Sequence, residues 1–154
     1  MKLHLFLVIF SLFISPILAN EASSSSVIRI ENAWVRAAEI GNSAAYMKII
    51  NKGLTSDRLV KVRTDACNIV ELHTHVREGN IFRMRPIEAI NIPAKQTVDL
   101  KEGGLHIMLI NIHRPLKEKE KIKLTLTFAK AGQVSMIAEV RKNNHECECK
   151  SGIF

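Results

Sequence analysis

Gly103-Gly104-Leu105-His106-Ile107-Met108-Leu109 is the stretch that decides how this chain is read. A glycine pair interrupts regular structure, and then Leu105, Ile107 and Leu109 alternate strictly with His106 and Met108. Side chains two apart share a strand face, so the aliphatic set can enter a core while His106 and Met108 project together from the opposite face. The same period runs through Val70-Glu71-Leu72-His73-Thr74-His75, with Val70 and Leu72 on one face and Glu71, His73 and His75 on the other. Working outward, alternating segments predict strands near 27–36, 44–51, 57–63, 68–76, 80–84, 96–100, 105–111, 121–130 and 133–140. Asn51-Lys52-Gly53, Glu78-Gly79-Asn80, Gly103-Gly104 and Ala131-Gly132 provide turn residues that tolerate positive φ, and Pro86, Pro93 and Pro115 are expected beside strands. With no helical period and no internal repeat, the expected class is an all-β sandwich or barrel.

The ends of the chain read differently. Met1-Lys2 opens a short positive start, Leu3 to Ile14 is almost continuously apolar, and Ser15-Pro16 breaks the run before Ala19. This is the layout of a secretory signal peptide, residues 1–19, with Ala22 as the second choice of cut. As a membrane anchor the run is short and interrupted by Pro16. No cysteine follows the cut, which argues against a lipid anchor. Residues 20–26, with Ser23 to Ser26, read as a flexible lead-in, 27–141 as the folded domain, and 142–154 as a polar tail. Export to the periplasm is the expectation. A content of 47% hydrophobic and 24% charged residues is enough to build one core. The net charge of +7 is dispersed among acids, as in Lys117-Glu118-Lys119-Glu120-Lys121, so it reads as a solvated surface and not as a nucleic-acid footprint.

His73, Met84, His106 and Met108 are spaced H-x10-M-x21-H-x-M. Two imidazoles and two thioethers make a neutral, soft donor set that suits Cu(I) over zinc, calcium or magnesium. An exported protein has reason to avoid thiolates here, because thiols outside the cytoplasm oxidise to disulfides. A hairpin turning at Glu78-Gly79-Asn80 would carry Met84 back along the His73 strand, and a third strand would add His106 and Met108. Each residue also has an ordinary reading, methionine as core filler and histidine as a structural group.

Those residues and their surroundings closely resemble the periplasmic copper chaperone family known as PCu(A)C, whose signature is the same H-x10-M-x21-H-x-M. The resemblance extends to Ala33-Trp34-Val35-Arg36, Ala44-Ala45-Tyr46-Met47, Val70-Glu71-Leu72-His73, Met84-Arg85-Pro86, Gly103 to Leu109 and Arg114-Pro115-Leu116-Lys117, and it covers residues 28–140. It implies a cupredoxin-like Greek-key β-sandwich that binds Cu(I) through His73, Met84, His106 and Met108. It also implies delivery of copper for cytochrome c oxidase assembly, with a Sco-type thiol protein or an oxidase subunit as acceptor. His75 shares the His73 face as a solvent-facing residue or an additional ligand. His113 reads as surface, Met47 and Met136 as core, and Trp34 and Tyr46 as core or rim aromatics. Some relatives carry a His- and Met-rich extension; here the tail offers His145, Cys147 and Cys149, a second soft-metal set if the thiols stay reduced. A bridge from Cys67 to the tail is conceivable, but three cysteines cannot all pair within one chain.

Two other classes compete. A blue-copper electron carrier needs a cysteine thiolate beside its histidines, and none accompanies His106 and Met108. An exported sandwich that binds proteins would leave the His/Met set without a role. No nucleophile–base pair, paired carboxylates or phosphate loop argues for an enzyme.

Overall fold

The computed structural model describes residues 27–79 and 81–142. The expected signal peptide, the lead-in up to Ser26 and the tail from Asn143, with His145, Cys147 and Cys149, lie outside the described residues. Ten strands follow in order: β1 (Ile28–Arg36), β2 (Ser43–Asn51), β3 (Asp57–Arg63), β4 (Cys67–Glu78), β5 (Ile81–Ile87), β6 (Ile90–Ile92), β7 (Thr97–Leu100), β8 (His106–Ile112), β9 (Lys121–Phe128) and β10 (Gly132–Arg141). There is no helix among the described residues. The fold is the expected cupredoxin-like, all-β sandwich.

The strands hydrogen-bond in the order β5-β4-β8-β2-β1-β10-β9-β3-β6, with β7 also pairing with β2. β2 shares one edge between two partners, β8 along Ser43–Ala45 and β7 along Met47–Ile50. The path folds back on itself, because Asn51 at the end of β2 donates its side-chain amide to the carbonyl of Ile92 in β6 at 3.1 Å. Two layers therefore face each other, joined where β1 runs parallel to β10. A bulge between Glu31 and Trp34, with Asn32 at φ 51°, separates the stretches of β1 paired with β2 and supplies the twist that passes from one layer to the other. Ile49, Leu59, Ile107, Leu109, Leu124 and Leu126 are fully enclosed between the layers. Burial of such aliphatic side chains is the main force holding the sandwich, at about 1.5–3 kcal/mol each.

Three details depart from the sequence reading. β6 is a three-residue strand too short to show a period, and it was not expected. Pro86 lies inside β5 and not beside a strand. It is tolerated there because, among the described residues, β5 pairs with β4 alone and its other edge forms no ladder. Gly53 does not use the positive φ expected of its turn: a Cβ there would sit 2.3 Å from Val27 Cγ1, so close approach is the constraint. Gly79, Gly103 and Gly132 do adopt positive φ.

Candidate functional site

β4, β5, β8 and β2 place a run of chemically distinctive side chains on one face. The pairings are Met84 opposite His75, His73 opposite His106, Met108 opposite both Glu71 and Ala44, and Trp34 opposite Tyr46. Paired residues share a face, and so do residues two apart, so His73, Met84, His106 and Met108 all lie on it. On β8 the expected alternation holds, with Ile107 and Leu109 fully buried in the core. His106, however, is only 3% exposed, because the rings of His73, His75 and Tyr46 pack around it. Ala44, opposite Met108, leaves room for the thioether.

The rings pack closely. His106 stands 5.7 Å from His73 and 5.2 Å from His75 between centroids, and Tyr46 lies 6.4 Å on its other side, stacked at 4.6 Å on Trp34. A cleft of about 340 Å³ opens beside them, lined chiefly by Tyr46, His75, Met84, His106 and Met108, with Arg36 and Glu102 at its margin. His73 does not line it; its side chain is 12% exposed and lies next to the cleft-lining His106. His75, read from sequence as a solvent-facing residue or an additional ligand, is half-buried in the cleft wall. Met84 is 50% exposed, and no residue of β5 is buried.

Hydrogen bonds set the tautomer of each imidazole. A carboxylate and a carbonyl only accept, so the ring nitrogen facing one must carry the proton. His73 Nε2–H donates to Glu71 Oε2 at 2.8 Å, leaving Nδ1 as the lone-pair atom. That Nδ1 is buried and has no hydrogen-bond partner. A buried acceptor left unpaired is costly unless something else fills it. His106 Nδ1–H donates to the Gly104 carbonyl at 2.9 Å, and His75 Nδ1–H reaches the same oxygen at 3.3 Å, so both leave Nε2 unprotonated. Burial pushes the pKa of His106 down; the Gly104 contact opposes that, while His75, His73 and Arg36 add to it. The ring is therefore neutral at pH 7, the form that can donate electrons to a metal. Burial likewise raises the Tyr46 phenol, with Arg36 opposing and Glu102 assisting, so it stays protonated.

Among the described residues, no group of three or more His, Cys, Asp or Glu side chains is arranged to hold a metal ion. Cys67 is buried and forms no disulfide among the described residues; it lies six residues along β4 from His73, or about 20 Å at the rise of a strand. Sequence reasoning did not single out Glu71 or the Gly104 carbonyl as partners of the histidines. Glu71 carried a readable signal, two residues from His73 on the same face, whereas Gly104 becomes a shared acceptor only once β4 and β8 are paired. His113 is exposed as expected, Met47 is in the core and Met136 packs against it.

The family described as "Putative lipoprotein LpqE-like" matches residues 28–140. The protein named "Putative lipoprotein Lxx21020" of Leifsonia xyli subsp. xyli is 33% identical over 112 residues, covering 72% of this chain and 67% of its own length. Among solved structures, the copper-bound PCuAC domain from PmoF2 superposes with a TM-score of 0.66 at 28% identity, over 76% of this chain and 94% of that domain. The solution structure of CuI-DR1885 from Deinococcus radiodurans gives 0.62 at 28% identity, over 82% and 87%.

Proposed function

The chain belongs to the LpqE-like family, which is the PCu(A)C family, and on that premise we propose that it is an exported Cu(I) carrier and not an enzyme. His73, Met84, His106 and Met108 hold the ion. The observation that carries this reading is the unpartnered, buried Nδ1 of His73 on the face shared with His106, Met108 and Met84. A soft monovalent cation suits that lone pair, the Nε2 of His106 and two thioethers without any proton having to leave. The Glu71 carboxylate and the Gly104 carbonyl orient the two rings from behind, as outer partners of metal-bound histidines commonly do. The copper-bound PmoF2 domain and CuI-DR1885 support the choice of metal.

Neutral ligands leave the positive charge of Cu(I) uncompensated, so a thiolate-bearing acceptor competes effectively for it. The physiological role is delivery in the periplasm, toward cytochrome c oxidase assembly, with a Sco-type thiol protein or an oxidase subunit as recipient. The apolar leader in residues 1–19 supports export.

Anaerobic Cu(I) titration against a chromophoric chelator should show one ion bound per chain. The copper K-edge absorption spectrum should show sulfur and nitrogen neighbours in equal number. Met84→Leu and Met108→Leu should each weaken Cu(I) binding by orders of magnitude with unchanged circular dichroism. Undiminished affinity in both variants would remove the thioethers from the site.

A further inference from the structure

The H-x10-M-x21-H-x-M spacing leaves one imidazole of the cleft uncounted. We propose that His75 is also a copper ligand, exchanging with His73 for one nitrogen position while His106 holds the other. This rests on the Cu(I) reading above and adds a route by which the ion enters and leaves.

Four observations carry it. His75 lines the cleft with Met84, His106 and Met108, whereas His73 does not. His75 is the residue paired with Met84 across β4 and β5, so the exposed thioether has this imidazole as its immediate cross-strand neighbour. The His75 ring is 5.2 Å from that of His106, closer than the 5.7 Å to His73. The Gly104 carbonyl takes the Nδ1–H of both His75 and His106, so one backbone oxygen leaves two Nε2 lone pairs on the cleft-lining rings.

Exposure orders these ligands. Met84 is half exposed, the His73 side chain is 12% exposed and His106 is 3% exposed. Met84 and His75 line the cleft and His73 does not, so an ion entering by the cleft meets them before it reaches His73. An imidazole bound to a metal through a ring lone pair carries no net charge, so replacing one such ligand by another leaves the charge of the complex unchanged. In this scheme His75 holds copper during loading and release, and His73 holds it at rest.

A double-mutant cycle on the full mature chain, titrated with Cu(I) alone under anaerobic conditions, tests the scheme. If the two imidazoles substitute for one another, His73→Gln and His75→Gln each lower affinity by about tenfold or less. The double variant then loses far more than the product of the two, on the order of a thousandfold. If His73→Gln already loses as much as the double variant, and His75→Gln loses nothing, the proposal is overturned. Glutamine keeps side-chain volume, and circular dichroism reports folding. A measurement on the unmutated protein gives a second route, since Cu(I) is diamagnetic and imidazole 15N shifts report which ring nitrogen binds it. Nε2 of His75 should shift and broaden during titration; an unmoved His75 signal beside shifted His73 and His106 signals would count against exchange. Failure of the Cu(I) reading itself is distinguishable, because the unmutated chain would then bind no stoichiometric copper.

Discussion

The two halves of the site are built on very different ground. His106 and Met108 sit on β8, between β4 and β2, with Ile107 and Leu109 anchoring the strand in the core from its other face. Met84 sits on β5, an edge strand in which no residue is buried and where Ile81 and Phe82 are exposed. Beyond His75 the β4–β5 hairpin is an arm carrying solvent on both faces: Arg77 stacks on Phe82 on the site face, and Glu78 pairs with Arg83 and Arg85 on the other. The contrast suits a carrier. The deep half orients its imidazoles in advance through fixed backbone and tautomers, which limits the ordering needed on binding. Under the proposed function, the arm would supply a sulfur that another protein's sulfur could replace without disturbing the core.

Stability should break the symmetry most sharply. Leu109→Ala removes a fully buried side chain from β8 and should cost about 2–5 kcal/mol in denaturant unfolding. Phe82→Ala on the arm should cost less than about 0.5 kcal/mol. A comparable loss from both would mean that the arm is part of the core. The next effect sharpens the deep half alone. Glu71→Gln leaves a partner for His73 Nε2–H but removes its charge; acting only through His73, it should weaken Cu(I) binding by about tenfold or less, with little change in melting temperature.

The smallest effect belongs to the opposite layer, far from either half in the strand order. Burial would raise the carboxyl pKa of Asp57, but N–H groups of Ala131, Arg58 and Lys130 outweigh it and hold it below the ordinary aspartate value. A carboxylate with a depressed folded pKa adds stability that is complete above its unfolded value of about 4 and is lost as pH falls through the folded one. Acid unfolding curves should therefore show Asp57→Asn less stable than the unmutated chain at pH 7. The variant should also lose less stability on acidification below about pH 4. Curves that stay parallel would exclude that linkage.

Much of this was legible from period alone. The alternation in Leu105 to Leu109 placed Ile107 and Leu109 inside and His106 and Met108 on the other face, because a strand has only two faces. The turn at Gly79 was legible because glycine tolerates the positive φ that Gly79 adopts. β6 was illegible because three residues contain no period. Pro86 was misplaced because the rule against proline in strands applies to paired edges, and which edge is unpaired depends on strand order. The place of His75 in the cleft was not legible because its neighbours, His106 and the Gly104 carbonyl, come from a strand and turn about thirty residues away.

By itself the sequence determined the fold class, the strand faces and which residues are candidate donors, since these follow from side-chain chemistry and a local two-residue repeat. Tertiary structure alone decided that β8 inserts between β4 and β2, that one carbonyl orients two imidazoles, and that His73 retains an unpaired buried nitrogen. Those are pairings between distant segments, chosen by how the whole apolar surface can be enclosed, and no local pattern encodes that choice.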